Sequence, residues 1–144
     1  MVIERVSAPS AELIEALESL VPQLTRNNPP PGSQDLEDLL QSDANVLLIA
    51  RLGPGQQIIG TASLAFYQVP TGVRAVIEDV IVDQQWRGLG TGEALISGLL
   101  GLAREKGVRG VPLTSNPGRT AANQLYVRMG FSLRNTNSYY YRFE

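Results

Sequence analysis

Neither cysteine nor histidine occurs among the 144 residues. The first absence excludes a disulfide scaffold, a thiolate metal site and a cysteine nucleophile. The second excludes Ser-His-Asp catalysis, a histidine-ligated zinc and a histidine general base, so no metal is expected. An excess of positive charge is also missing. The net charge is −2 and the pI near 5.2, against a nucleic-acid partner, which selects basic surfaces. No apolar run approaches the roughly 18 residues that a membrane span needs. The start, MVIERVSAPSAELIEAL, lacks a basic stretch followed by an apolar one, so cytoplasmic residence is the default expectation.

Hydrophobic residues make up 43% of the chain and charged residues 18%, the composition of a folded globular protein. The length suits one domain, 1–144, able to bury roughly 68–70% of its unfolded surface without staples. Val2 to Val6 alternates as a short strand. Ser10 caps a helix carrying Leu13, Ile14, Leu17, Leu20 and Val21 at helical spacing. Asn27 to Gly32 holds three consecutive prolines and is a loop. Ser33 is placed as the cap of a short helix through Leu40, with Glu37 one residue late for a capping box. Strands are expected at Val46–Arg51, Gln57–Tyr67 and Val73–Val82, joined by glycine and proline turns. The run AVIEDVIV reads as a strand from the middle of a sheet, covered on both faces. A helix from Thr91 or Gly92 to about Lys106 has Gly107 at its C′ position. Val108–Thr114 is expected as a strand and Arg119–Met129 as a helix with Gly130 at C′. A final strand pair, Phe131–Arg134 and Tyr139–Phe143, closes one mixed α/β domain.

The sharpest segment is Val82-Asp83-Gln84-Gln85-Trp86-Arg87-Gly88-Leu89-Gly90-Thr91-Gly92. A strand ends, three glycines alternate, and a helix opens. Helix N-termini carry unpaired N–H groups and about +0.5 charge, a ready anion site. Glycines allow positive φ and close approach of the backbone to a phosphate. A P-loop would need a lysine that is absent here, and a dinucleotide fingerprint would need GxGxxG with an acidic residue about 20 positions on. Neither fits.

Arg87-x-x-Gly90-x-Gly92 resembles the R/Q-x-x-G-x-G/A signature of the GCN5-related N-acetyltransferase (GNAT) family, which cradles the pyrophosphate of acetyl-CoA. In that family the motif follows the fourth strand and opens the third helix, as here. Asn116, Ala122, Leu125-Tyr126 and Gly130-Phe131 resemble a second family segment, N-x(n)-A-x-x-LY-x-x-x-GF. The resemblance covers Ile77 to Phe131, and Ile77–Val82 is similar to the glucosamine-6-phosphate N-acetyltransferase branch. It implies the family's acyl-CoA N-acyltransferase fold: a single α/β (α+β) domain with a mixed, mostly antiparallel sheet of six or seven strands and about four helices. It implies acetyl-CoA as cosubstrate and a small-molecule primary amine, such as an amino sugar, as acceptor. Main-chain groups of Val80, Ile81 and Val82 would pair with the pantetheine arm as a pseudo-strand. Arg87, Gly88, Leu89, Gly90, Thr91 and Gly92 would hold the pyrophosphate. Asn116 and Asn123 would hydrogen-bond the arm.

Acyl transfer to an amine needs a base, because an ammonium with pKa near 10.4 is no nucleophile at pH 7. Glu78, a carboxylate in an apolar strand, is the candidate, with its neighbour Asp79 the alternative. Strand alternation points the two to opposite faces unless a bulge intervenes. The departing thiolate needs a proton, and the tyrosine of the LY segment, Tyr126, is the candidate acid. With neither Cys nor His, direct attack in a ternary complex is expected over a covalent acyl-enzyme. Trp86 is expected to pack the loop. Arg26, Arg74, Arg134 and Tyr139 are candidate acceptor contacts, and an arginine would suit a phosphate or carboxylate. The aromatic run at Tyr139–Phe143 indicates either a buried last strand or a sheet shared in a homodimer. An acyl-CoA-binding module without turnover, a peptide N-acetyltransferase and a nucleotide-binding protein are the competing readings.

Overall fold

The computed structural model describes all residues, Met1–Glu144. They form two compact units, Met1–Thr114 and Ser115–Glu144. In the first, the order is β1 (Val2–Arg5), α1 (Ala11–Leu24), α2 (Ser33–Gln41), β2 (Asn45–Arg51), β3 (Ile58–Val69), β4 (Gly72–Val82), a 3-10 turn (Gln84–Trp86) and α3 (Thr91–Glu105). The second holds α4 (Thr120–Arg128). Ser10 caps α1 by accepting the Leu13 N–H at 3.1 Å. The cap of α2 is Gly32 rather than Ser33, and the Asp35 carboxylate accepts the Gly32 N–H at 3.0 Å. Gly107 and Gly130 follow the last residues of α3 and α4 with φ of 77° and 100°, the left-handed backbone that ends a helix.

β1 to β4 form one sheet in sequence order, and every pairing is antiparallel. Short hairpin turns join β2 to β3 and β3 to β4, so neighbours in sequence are neighbours in the sheet. α1 and α2 cover one face. Leu13, Leu17, Leu20 and Leu36 pack there with Leu47, Ile49, Ile58 and Ile81. α3 covers the other face, where its stripe of Leu95, Ile96, Leu99 and Ala103 is fully buried. At the rim, the Arg51 guanidinium donates to Glu4 at 2.7 Å, to Glu12 at 2.6 and 2.8 Å, and to the Gln56 carbonyl at 2.6 Å. One side chain thereby ties β1, the first turn of α1 and the β2–β3 turn to β2.

The sheet has four strands, fewer than the six or seven expected, and it is not mixed. Residues 108–114 make no ladder. Pro112 has no N–H to contribute, and its carbonyl accepts one bond, from the Ile77 N–H at 3.1 Å. β4 is consequently the last strand of the sheet, not a central one, and only Ala75, Ile77 and Ile81 along it are buried. Residues 131–134 and 139–143 form no strands. Leu133 is fully exposed, and Tyr139, Tyr140, Tyr141 and Phe143 are more than 80% exposed. A strand pair without a buried apolar face lacks its main stabilisation. The buried-last-strand reading of the aromatic run therefore does not hold in the single chain.

α3 approaches the sheet closely because residue 60 lacks a side chain. A Cβ at Gly60 would stand 3.0 Å from the Ile81 carbonyl oxygen, 3.2 Å from Thr91 Cγ2 and 3.3 Å from Leu95 Cδ1. Gly60→Val should destabilise the fold by at least about 1–3 kcal/mol, the usual penalty of overpacking. The check is a fall in the urea midpoint at unchanged slope; an unchanged midpoint would mean that α3 can move away freely.

Candidate active site

The local chemistry of β4 sets the position of its carboxylates. Ser63 pairs with Glu78 and Thr61 with Ile81, so Ala62 alone opposes both Asp79 and Val80. This is a β-bulge. Asp79 takes φ 51° and is the one non-glycine residue in left-handed backbone, a conformation in which aspartate is among the tolerated types. A regular strand would aim Ile77 and Ile81 at the same face. The bulge instead leaves Ile77 opposite Leu64 and turns Ile81 into the core under α1. Glu78, opposite Ser63, stands on the face that carries α1 and α2, at an exposed position. Neighbouring groups displace part of its carboxyl's water, and the Asp79 carboxylate beside it repels a second negative charge. Both effects hold the Glu78 pKa above the ordinary carboxylate value. Asp79 thus acts on Glu78 through charge.

Beyond β4 the chain enters the glycine segment. The Asp83 side chain accepts the Gln85 N–H at 3.0 Å and closes the 3-10 turn. The side-chain Oε1 of Gln23, in the last turn of α1, accepts the Gln84 N–H at 2.9 Å. Arg87 Nε donates to the Val82 carbonyl at 3.3 Å, so this side chain braces the loop on the strand that precedes it. Trp86 is half-buried, and its indole N–H is enclosed without a partner. Gly88 and Gly90 have φ of 84° and 80°. Gly90 is the N-cap of α3 and has no side chain to occupy the first-turn amides, so the N–H groups of Thr91, Gly92 and Glu93 have no acceptor within the helix. Space is open within 4 Å of where a Cβ would sit on Gly88 or Gly90. Leu89 is 53% exposed and the Thr91 side chain is buried, so Thr91 offers a ligand only its main chain.

Pairing along the other edge of β4 stops at the Ile77 bond to Pro112, and no strand pairs with Val80, Ile81 or Val82 on that side. The main-chain groups of a sheet edge are a template for an extended partner. An unpaired edge followed by a helix N-terminus in left-handed glycine backbone suits a ligand with an amide-bearing arm and a phosphate head. Acetyl-CoA has both.

In the second unit, Tyr126 on α4 is buried and its ring meets Phe131 edge-on at 5.8 Å. The Phe131 N–H donates to the Tyr126 carbonyl at 2.9 Å. Burial pushes the Tyr126 phenol above its ordinary pKa, and the Arg119 charge offsets part of the rise. Asn116 lies in a loop instead of at a strand end. Its Oδ1 accepts the Gly118 N–H at 2.8 Å, and Asn123 Nδ2 donates to the Asn116 carbonyl at 3.1 Å. These bonds build the turn that starts α4. They leave Asn116 Nδ2 and Asn123 Oδ1 as the atoms free for a ligand.

The sequence pattern of the acetyltransferase (GNAT) family matches residues 13–131, which run through both units. The chain belongs to the GNAT family. A glucosamine 6-phosphate N-acetyltransferase of Trypanosoma brucei brucei is 42% identical over 81 residues, 54% of this chain and 53% of that protein. The match thus spans about half the length of that relative. The crystal structure of a Trypanosoma brucei acetyltransferase aligns with a TM-score of 0.76 at 28% identity, over 97% of this chain and 99% of that one. A glucosamine-6-phosphate N-acetyltransferase from Arabidopsis thaliana aligns with a TM-score of 0.78 at 19% identity, over 98% and 99% of the two chains, a likeness of fold. Of the GNAT motif residues, Arg87 closes the 3-10 turn and Gly90 and Gly92 lie at the start of α3, while the LY pair lies on α4.

The bulge is the feature that the sequence did not disclose. It sets Asp79 in left-handed backbone and turns Ile81 onto the face that carries Glu78. The tie between Gln23 and Gln84, two residues that carry no motif, also had no sequence signal.

Proposed function

We propose that this GNAT protein transfers the acetyl group of acetyl-CoA to the primary amine of a small molecule, an amino sugar being the favoured class. The observation that carries the reading is the joint between β4 and α3: an unpaired strand edge, a bulge directly after Glu78, and a glycine-capped helix start. In this reading the main chain of Val80, Ile81 and Val82 pairs with the pantetheine amides. The amides of Gly88 to Gly92 hold the pyrophosphate, with Arg87 holding the loop in shape. Asn116 and Asn123 contribute side-chain bonds to the arm. Acetyl-CoA supplies the thioester. Glu78 takes the proton of the acceptor ammonium, directly or through a water, and Tyr126 returns one to the departing thiolate. Amide donors along β4 stabilise the charge that develops on the carbonyl oxygen. A cytoplasmic homodimer is part of the proposal, supported by the exposed aromatic run near the C-terminus. The test is thiol release from acetyl-CoA over a panel of amino sugars, polyamines, amino acids and peptide N-termini. Release with one small-amine class supports it; CoA binding without release from any amine would favour a binding module.

Gly90 tests the phosphate cradle. A β-branched residue at φ 80° is strained by about 1–2 kcal/mol, and its Cβ enters the space a phosphate would need. Gly90→Val should weaken CoA binding by about tenfold or more, the effect of losing one or two charge-assisted hydrogen bonds. Gly90→Asn, which tolerates left-handed backbone, should keep the melting temperature closer to the parent but still bind CoA less well. Titration calorimetry gives the affinities, and unchanged affinity in both variants would remove the cradle from the account.

A further inference from the structure

The 3-10 turn that leads into the glycine segment has its N–H groups satisfied, one of them by another element. Asp83 takes two: its side chain accepts from Gln85 at 3.0 Å and its carbonyl from Trp86 at 2.9 Å. The N–H of Gln84 goes to Gln23 Oε1 in the last turn of α1, 61 residues earlier in the chain. The Gln23 amide is held at its other end as well, because Nε2 donates to the Ser19 carbonyl at 3.2 Å. Reversing the amide would set oxygen against oxygen and N–H against N–H, so a single orientation satisfies both bonds. The helix beneath this side chain is anchored. α1 packs on β3 and β4, Leu20 is fully buried, and Val21 and Leu24 on either side of Gln23 pack against the same core.

The turn sets where the glycine segment points. At its start the Ile59 carbonyl accepts the Asp83 N–H at 2.8 Å, and at its end Arg87 alone separates it from Gly88. We infer that Gln23 is a positioning residue for acetyl-CoA: by accepting the Gln84 N–H it fixes this turn against α1 and so aims the main-chain amides of Gly88 to Gly92. This rests on the reading of those amides as the pyrophosphate cradle, and adds to it a residue that touches neither substrate. Several amides bind one pyrophosphate well only when they converge on it, so a small tilt of the turn is felt as lost affinity. Without Gln23 the Gln84 N–H passes to water and the turn is held by its own residues and by β3 alone. α1 also covers the face on which Glu78 stands, so the tie keeps the cradle and the proposed base in one frame.

The experiment is a double-mutant cycle read by titration calorimetry with CoA, on the full-length protein. Gln23→Met keeps the length of the side chain and removes the acceptor oxygen. Gln84→Pro removes the donor from the other end. Position 84 is the first of its turn, where proline is tolerated, and Asp83 has ψ 128°, the extended backbone that a residue before proline takes. The Gln84 side chain is exposed, so its loss disturbs no packing. Gln23→Met should weaken CoA binding by about threefold to tenfold, the worth of one neutral hydrogen bond. In the Gln84→Pro background the same change should have no effect, because the bond is already gone. Gln23→Asn, one methylene short of the Gln84 N–H, should behave as Gln23→Met and carries the test if Gln84→Pro does not fold. Parental CoA affinity in Gln23→Met and Gln23→Asn, whatever their melting temperatures, would make Gln23 a structural residue only and overturn the inference. An equal loss in both backgrounds would also overturn it, since the effect would then bypass Gln84. If the parent itself does not bind CoA, the cradle reading falls and the inference with it.

Discussion

Glu78→Gln should lower turnover at pH 7 by about 10²–10⁴-fold, the range for losing a positioned base. The amide keeps the size and the exposed setting of the carboxylate, so the melting temperature should hold. The loss should shrink as pH rises, because the acceptor amine then sheds its proton unaided. The pH profile of the parent carries a second signature. A base works only when deprotonated, and the Glu78 pKa is held above the ordinary value by partial desolvation and by Asp79. The acid limb of kcat/KM should therefore fall at higher pH than an ordinary carboxylate, near 4.3, would give. Asp79→Asn removes the repelling charge and should move that limb to lower pH. Turnover of Glu78→Gln at the parent's level would place the base elsewhere, with Asp79 the next residue to change.

Tyr126→Phe should also lower turnover, by about 10²-fold or more, since it removes the proposed proton donor to the thiolate. The direction of its pH dependence is opposite. Bulk acid becomes scarcer as pH rises, so the defect should grow, or at least not shrink. Burial raises the phenol's pKa, so Tyr126 stays protonated beyond the ordinary phenol range and the parent's alkaline limb should lie correspondingly high. CoA affinity should survive in both variants, because the proposed phosphate contact is made by main-chain amides at 88–92, not by either side chain. If Tyr126→Phe changed only the melting temperature, Tyr126 would be a core residue of α4 and the thiolate would leave by another route.

What the sequence disclosed follows from how local the physics is. Ser10 caps α1 through a bond three residues away, and Gly107 and Gly130 end their helices by their own φ; no distant partner is needed. The start of α3 was legible for the same reason, because a glycine in left-handed backbone followed by an apolar stripe is a local event. Strands need partners, which local composition does not supply. Val108–Thr114 has strand composition, yet Gly110 and Pro112 reduce it to a single bond with β4. The aromatic run at Tyr139–Phe143 has high strand propensity, yet it forms no strand and its rings are exposed. At the site, Glu78 stood out as a charge in an apolar run. That Ile81 shares its face was not legible, because one extra residue after Glu78 reverses the alternation and nothing in Asp79 announces φ 51°.

The most direct test of the central claim is the initial-velocity pattern of thiol release, with acetyl-CoA and the preferred amine varied together. Attack by an amine that Glu78 deprotonates, while acetyl-CoA lies on the β4 edge, requires both substrates on the protein at once. The account predicts double-reciprocal lines that intersect. Parallel lines, the mark of an acetylated enzyme formed before the amine binds, would contradict it.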